Sequence, residues 1–206
     1  METGIFDVII VCLMCYFVGS IPTAYLVVKI MHNKDITTEG SGNVGTLNSI
    51  QVTNSKLLGI FVLLIDILKG FVPVYLLLFV FKANYSLTMA GSAFLILGHN
   101  YPVWLKFKGG RGLATGTGIF LVVNYFVLIG WCMAWLISFV LKKKVMLSNT
   151  AATMLIPFYV FIVNKLSMFE VSWDLETFSL KYFTVFSVII TFIIITKHTE
   201  IFKKNK

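Results

Sequence analysis

Seven apolar runs divide this chain, and the short polar segments between them carry most of its charge. The runs are Ile5–Val28, Leu57–Phe81, Ser86–Leu97, Leu113–Val123, Phe126–Leu141, Thr150–Asn164 and Tyr182–Thr196. A helix needs about 20 apolar residues to cross a bilayer, and the longer runs reach or approach that length. The pattern predicts an all-α, polytopic integral membrane bundle of about seven membrane helices, some short or half-depth, with the N-terminus outside. Asn124-Tyr125 is expected to be the turn of a shallow hairpin or of two short helices. Half-depth helices are tolerated only where protein or water covers their ends, so they point to a wet cavity. No repeat or second domain is visible, and residues 1–206 read as a single domain.

Charge sharpens this picture. Only 13% of residues are charged, about half the share of a soluble domain. The net charge is +8. Its cations sit in short loops, which suits membrane topology and anionic lipid rather than nucleic acid. Lys29, Lys34 and Lys56 mark the first loop, and Lys106, Lys108 and Arg111 the third. Lys142, Lys143 and Lys144 mark another, and Lys197, Lys203, Lys204 and Lys206 the tail. Placing all four segments in the cytosol leaves the acids Glu2, Asp7, Glu170, Asp174 and Glu176 outside, a strong positive-inside bias. The first run has no cation before Lys29, so it reads as a retained helix rather than a cleaved signal. Cys12, Cys15 and Cys132 all lie in apolar runs and pack as small apolar residues, so neither a disulfide framework nor a redox motif is expected.

Two polar, glycine-rich stretches stand out. One runs from Gly98 to Thr115 and combines His99, Lys106, Lys108 and Arg111 with Gly109, Gly110 and Gly112. The other is Glu39-Gly40-Ser41-Gly42-Asn43-Val44-Gly45. Backbone N–H groups of a glycine-rich turn can converge on an anion because no Cβ blocks the approach. A helix starting just after Gly45 would aim its N-terminus at the same anion. Gly40 to Gly45 matches G-x-G-x-x-G, but a dinucleotide site needs a strand before it and a βαβ unit, and neither is present. Two such loops in a greasy chain indicate a phosphorylated substrate handled at a membrane surface. Asp66 and Lys69, three apart in one apolar run, share a helix face and read as an ion pair lining the cavity. Gly70 and Pro73 behind them predict a kink.

In order along nearly the whole chain, these motifs resemble the bacterial acyl-phosphate:glycerol-3-phosphate acyltransferases, the PlsY family. The matching segments begin with Gly19-Ser20-Ile21-Pro22, then Gly40 to Gly45 with Asn48, then Asp66 with Lys69-Gly70. They continue with Gly98-His99 through Pro102 to Phe107-Lys108-Gly109-Gly110-Arg111-Gly112 and Ala114-Thr115. Weaker matches are Leu147-Ser148-Asn149-Thr150 and Lys197-His198 with Glu200. The resemblance implies a seven-helix protein of the bacterial cytoplasmic membrane with a cytosolic active site. It implies transfer of a fatty acyl group from acyl phosphate to the 1-hydroxyl of glycerol 3-phosphate, the first acylation in phospholipid synthesis. No cofactor and no metal are implied. The partners implied are the two substrates, membrane lipid and the soluble enzyme that makes acyl phosphate, with no nucleic acid.

Carried onto this chain, the family motifs put Arg111, His99, His198 and Asn149 among the catalytic candidates. Ser41, Gly42, Asn43, Gly45, Thr46, Asn48, Lys106, Lys108, Gly109 and Gly110 are the substrate-binding candidates. The chain departs from the family pattern within the site. Gly45-Thr46-Leu47-Asn48 and Gln51 stand where Gly-Ala-Thr-Asn and an Arg are usual. Arg111 replaces a Lys, Asn149 aligns with a Ser, and Ile201 stands where an Asn is usual. A divergent paralogue that is catalytically weak, or that binds lipid phosphate or regulates a partner, is therefore the second function class. Other acyltransferase chemistries fit poorly. No His has an Asp five positions on, and Ser41 is not in a G-x-S-x-G elbow.

Overall fold

The structure, a computed structural model, describes residues 4–166 and 180–204, with side chains in the last helix from Tyr182 to His198. Glu2, Glu170, Asp174, Glu176 and Lys206, which entered the charge asymmetry, lie outside the described residues. The described residues form an all-helical bundle of α1 (Ile5–Ser20), α2 (Thr23–His32), α3 (Thr46–Thr53), α4 (Lys56–Tyr75), α5 (Tyr85–Asn100), α6 (Leu113–Val123), α7 (Tyr125–Lys142), α8 (Val145–Met154), α9 (Ile156–Lys165) and α10 (Leu180–Lys204). Among them Ile5–His32, Lys56–Val80 and Tyr125–Lys142 are long and apolar enough to cross a membrane. The pair α8–α9 makes a fourth span if taken together, and shorter apolar helices run Leu113–Val123 and Tyr182–His198.

Three runs expected to be single regular helices depart from that form. The first breaks at Ile21-Pro22 between α1 and α2, where proline removes a backbone donor. The second continues past Pro73 and ends in a π-helical turn, Leu76–Val80. The third, expected over Thr150–Asn164, starts earlier and bends by 44° between α8 and α9. Pro157 has no N–H for the Thr153 carbonyl four residues back, and the Thr191 hydroxyl of α10 approaches that carbonyl instead, at 3.4 Å. The expected turn at Asn124 is present, with its side chain accepting the Val127 N–H, but only α6 is short, and α7 behind it is long enough to cross a membrane.

Helix pairs approach closely where glycine removes a side chain, as expected where lipid gives helices no hydrophobic reason to associate. In α1 against α5 the contact is reciprocal. A Cβ on Gly19 would strike the Leu95 carbonyl, and one on Gly98 would strike the Tyr16 carbonyl. In α4 against α6, Gly70 faces the Thr115 carbonyl and Gly118 the Ile67 carbonyl in the same way. A main apolar cluster from Cys15 to Ile194 fills the bundle between these pairs. A second cluster, Ala24, Val28, Ile36, Val44, Val52, Leu58 and Val62, underlies the loop before α3.

Candidate active site

The loop between α2 and α3 is shaped before anything binds to it. Asp35 accepts the Thr37 N–H at 2.9 Å and its hydroxyl at 2.6 Å, a local turn that also holds the Asp35 carboxyl below its usual range. Ile36 and Val44 are buried on either side of the glycine stretch and pin its ends. Gly40 and Gly42 take φ of 59° and 70°, the left-handed region that glycine enters without strain. Asn48, on the first turns of α3, braces the loop from inside. Its carbonyl oxygen accepts the Ser41 N–H at 2.8 Å, and its amide donates to the Ile36 and Glu39 carbonyls at 3.1 Å each. Asn48 was expected to hold phosphate; the structure spends its amide on backbone and leaves it 1% exposed. Ser41, Gly42, Asn43 and Thr46 remain on the accessible side, and α3 begins directly after Gly45. Gln51 lies beside Gly40.

The second loop leaves α5 at Asn100 and folds back on it. Gly109 N–H donates to the Asn100 carbonyl at 3.2 Å and Gly110 N–H to the His99 carbonyl at 3.0 Å. This places Gly110 between the His99 ring and the first loop, where a Cβ would strike His99 Nε2 and come within 2.8 Å of the Val44 carbonyl. The two glycine loops, 50 and more residues apart in sequence, therefore meet over His99. Lys106 and Lys108 are exposed on the turn between α5 and the glycines.

Arg111 points the other way, toward α8 and α10. Its Nη1 contacts Met146 Sδ at 2.6 Å, and its charge lies close enough to act on His198. Burial pulls its guanidinium below the ordinary value, which starts so high that the group stays charged. His198 is fully buried, with Nδ1 2.9 Å from the Ile194 carbonyl and Nε2 without a partner among the described residues. Asn149 is one helical turn from Met146, but its carbonyl oxygen accepts the Trp135 indole N–H at 2.6 Å and so ties α8 to α7. Lys197, expected as a tail cation and as part of a weak family match, is buried; its Nζ is 3.4 Å from the Phe107 carbonyl and 4.3 Å from the centre of the Tyr101 ring. Through these contacts, the described parts of the four basic segments gather at one end of the bundle.

The Asp66–Lys69 pair lies beneath the loops, as expected. Lys69 Nζ is 2.8 Å from Asp66 Oδ1 and also donates to the Ile21 carbonyl at 2.6 Å, at the break between α1 and α2. Ile21 and Lys69 also begin an apolar groove of about 870 Å³ between α1 and α4, lined by Met14, Val18, Leu68 and Val72. Its far end reaches Asp7, Lys82 and Asn84. A polar junction of two glycine loops thus abuts a long lipid-side groove.

Comparison with known proteins places this arrangement. Residues 9–205 match the family model for glycerol-3-phosphate acyltransferase. A glycerol-3-phosphate acyltransferase of Pelagibacter ubique is 35% identical over 97% of this chain and 94% of its own length. One from Endomicrobium trichonymphae is 33% identical over 95% and 90%. Crystal structures of PlsY (YgiH), an integral membrane glycerol 3-phosphate acyltransferase, superpose well. Its glycerol 3-phosphate form gives a TM-score of 0.77 at 28% identity, covering 94% of this chain and 88% of the other. Its lysophosphatidic acid form gives 0.76 at 27%. The chain is an integral membrane acyltransferase and belongs to the glycerol-3-phosphate acyltransferase family.

Proposed function

We propose that this enzyme, acting as one domain over residues 1–206, transfers a fatty acyl group from acyl phosphate to the 1-hydroxyl of glycerol 3-phosphate. The observation that carries this reading is the junction of the two glycine loops over His99, which abuts the apolar groove at Lys69. Ser41, Gly42, Asn43, Gly45 and Thr46, at the start of α3, receive one phosphate. Lys106, Lys108 and Arg111 hold charge on the other, while Gly109 and Gly110, whose N–H groups were expected to bind it but are spent on the Asn100 and His99 carbonyls, shape the loop that carries them. Acyl phosphate is a mixed anhydride, so its leaving group is already good, and orientation with charge stabilisation supplies most of the catalysis. The glycerol hydroxyl oxygen attacks the acyl carbon, the bond to phosphate breaks, and the hydroxyl proton goes to a phosphate oxygen. His99 and His198 orient the groups or relay that proton, while Asn48 and Asn149 hold the elements that carry them. The products are 1-acyl-glycerol 3-phosphate and phosphate. The gathering of basic segments at the site's end supports a cytosolic active site in the cytoplasmic membrane, within reach of a soluble enzyme that makes acyl phosphate.

Labelled glycerol 3-phosphate supplied with palmitoyl phosphate, and separately with palmitoyl-CoA, tests the donor. Product from the acyl phosphate alone is expected; product from the thioester alone would sink the reading. In the same assay Arg111→Ala is expected to lose roughly 10- to 150-fold in kcat/KM, the 1.5–3 kcal/mol of a charged hydrogen bond, while keeping its fold. Unchanged turnover would remove Arg111 from the site.

The groove gives the acyl chain a place and a length. From Ile21 back to Asp7 along α1 is roughly 20 Å at 1.5 Å per residue. An extended chain advances about 1.3 Å per carbon for C–C bonds of ~1.5 Å, so about sixteen carbons fit before the chain meets polar groups. Met14→Trp, half-way along, is expected to shift preference from 16-carbon toward 8- to 10-carbon donors by about tenfold in competition. An unchanged chain-length profile in an active variant would place the chain elsewhere.

A further inference from the structure

We propose that Asp66 is a positioning residue for His99 and acts through one water molecule held in a buried polar cavity beneath the glycine loops. The cavity measures about 10 Å³ and is lined by Ser20, Thr23, Asp66, Lys69, His99 and Gly110 among others. That is room for the centre of a single water, at the lower edge of the roughly 10–15 Å³ one needs. Ser20 and Thr23 line the cavity and are 0% and 7% exposed, and their hydroxyls have no hydrogen-bond partner among the described residues. Buried hydroxyls of this kind require a partner, and a water between them supplies it.

The same water closes a gap in the site. His99 Nδ1 and Asp66 Oδ1 are 3.8 Å apart, too far for a hydrogen bond but spanned by one water. Accepting from His99 Nδ1–H and donating to Asp66, that water fixes the proton on Nδ1 and leaves Nε2 as an acceptor at the junction of the loops. A carboxylate behind an imidazole sets its tautomer in this way. The charged groups facing the His99 ring are Asp66 and Lys69, both from α4. Lys69 neutralises Asp66, so the carboxylate orients the ring without having to take its proton. Gly19-Ser20-Ile21-Pro22 and Thr23 thus acquire a role the acyl-transfer scheme did not use: they supply the other half of the water's cage.

The inference rests on His99 serving the acyl-transfer site, and the test separates the two. The chain has three histidines, so nitrogen-15 labelling of histidine in micelles gives few signals, and His99→Gln assigns one of them. Wild type is expected to carry the His99 proton on Nδ1. Ser20→Ala with Thr23→Val removes the cage but leaves the ion pair in place. It is expected to mix the His99 tautomers and lower kcat about tenfold, with KM for glycerol 3-phosphate within about twofold. A His99 proton on Nε2 in wild type, or an unchanged tautomer in the double variant, would overturn the proposal. If the tautomer responds while His99→Gln turns over normally, the positioning stands and the role of His99 in acyl transfer fails instead.

Discussion

Lys69→Met is expected to destabilise this protein by about 3–5 kcal/mol, the effect of stranding one member of a buried ion pair. Asp66 and Lys69 have side chains 3% and 5% exposed, with Nζ 2.8 Å from Oδ1, so neither charge has bulk water to fall back on. The loss extends further, because Lys69 also donates to the Ile21 carbonyl at the proline break of the first span. Replacing both partners, Asp66→Leu with Lys69→Met, is expected to recover much of the single variant's loss. A fully apolar pair carries no stranded charge. The exposed Lys34–Glu39 pair, at 3.7 Å, is the control: Lys34→Met should fall within about 1 kcal/mol of wild type. Unfolding midpoints in detergent micelles decide the matter. A single variant as stable as wild type, or a double variant worse than the single, would mean the pair does not hold this corner.

That pair also marks the boundary of what the sequence reveals. Its spacing of three along an apolar run announces a shared helix face, and the two charges do meet there. The third partner does not announce itself. The Ile21 carbonyl is 48 residues away, and only the packing of α1 on α4 brings it to Lys69. The same division runs through the site. Glycine clusters, caps such as Asn124 and the helix start after Gly45 are local events, encoded within a few residues and legible there. Asn48 was expected among the substrate-binding residues and Asn149 among the catalytic ones. In the structure, backbone carbonyls and the Trp135 indole engage them, and no spacing rule shows that. Lys197 counts as one more tail cation until Tyr101 and Phe107 surround it. The bend between α8 and α9 was signalled by Pro157. It stayed hidden inside an apolar run because membrane helices tolerate proline when a neighbour, here Thr191, serves the freed carbonyl.

Gly110→Ala should be the most damaging single-methyl change to activity, with turnover falling on the order of 100-fold, as when a catalytic arrangement is displaced by about 1 Å. The backbone at Gly110 is not in the left-handed region, so its own conformation does not demand glycine. The neighbours do. The added carbon would strike His99 Nε2 on one side and come within 2.8 Å of the Val44 carbonyl on the other. Neither can yield cheaply. The His99 backbone is tied to this loop by the Gly110 N–H bond, and Val44 is a buried pin of the first loop. The methyl therefore wedges the two glycine loops apart while leaving every charged group in place. Gly45→Ala is the comparison, since its Cβ would meet only the Asn43 side-chain amide, at 3.0 Å. That amide can swing aside, and the loss should stay within about tenfold. Both variants should unfold near the wild-type midpoint if the damage is confined to the site. Equal turnover in Gly110→Ala and wild type would show that the reaction does not need the two loops joined over His99, and the site would have to be sought in one loop alone.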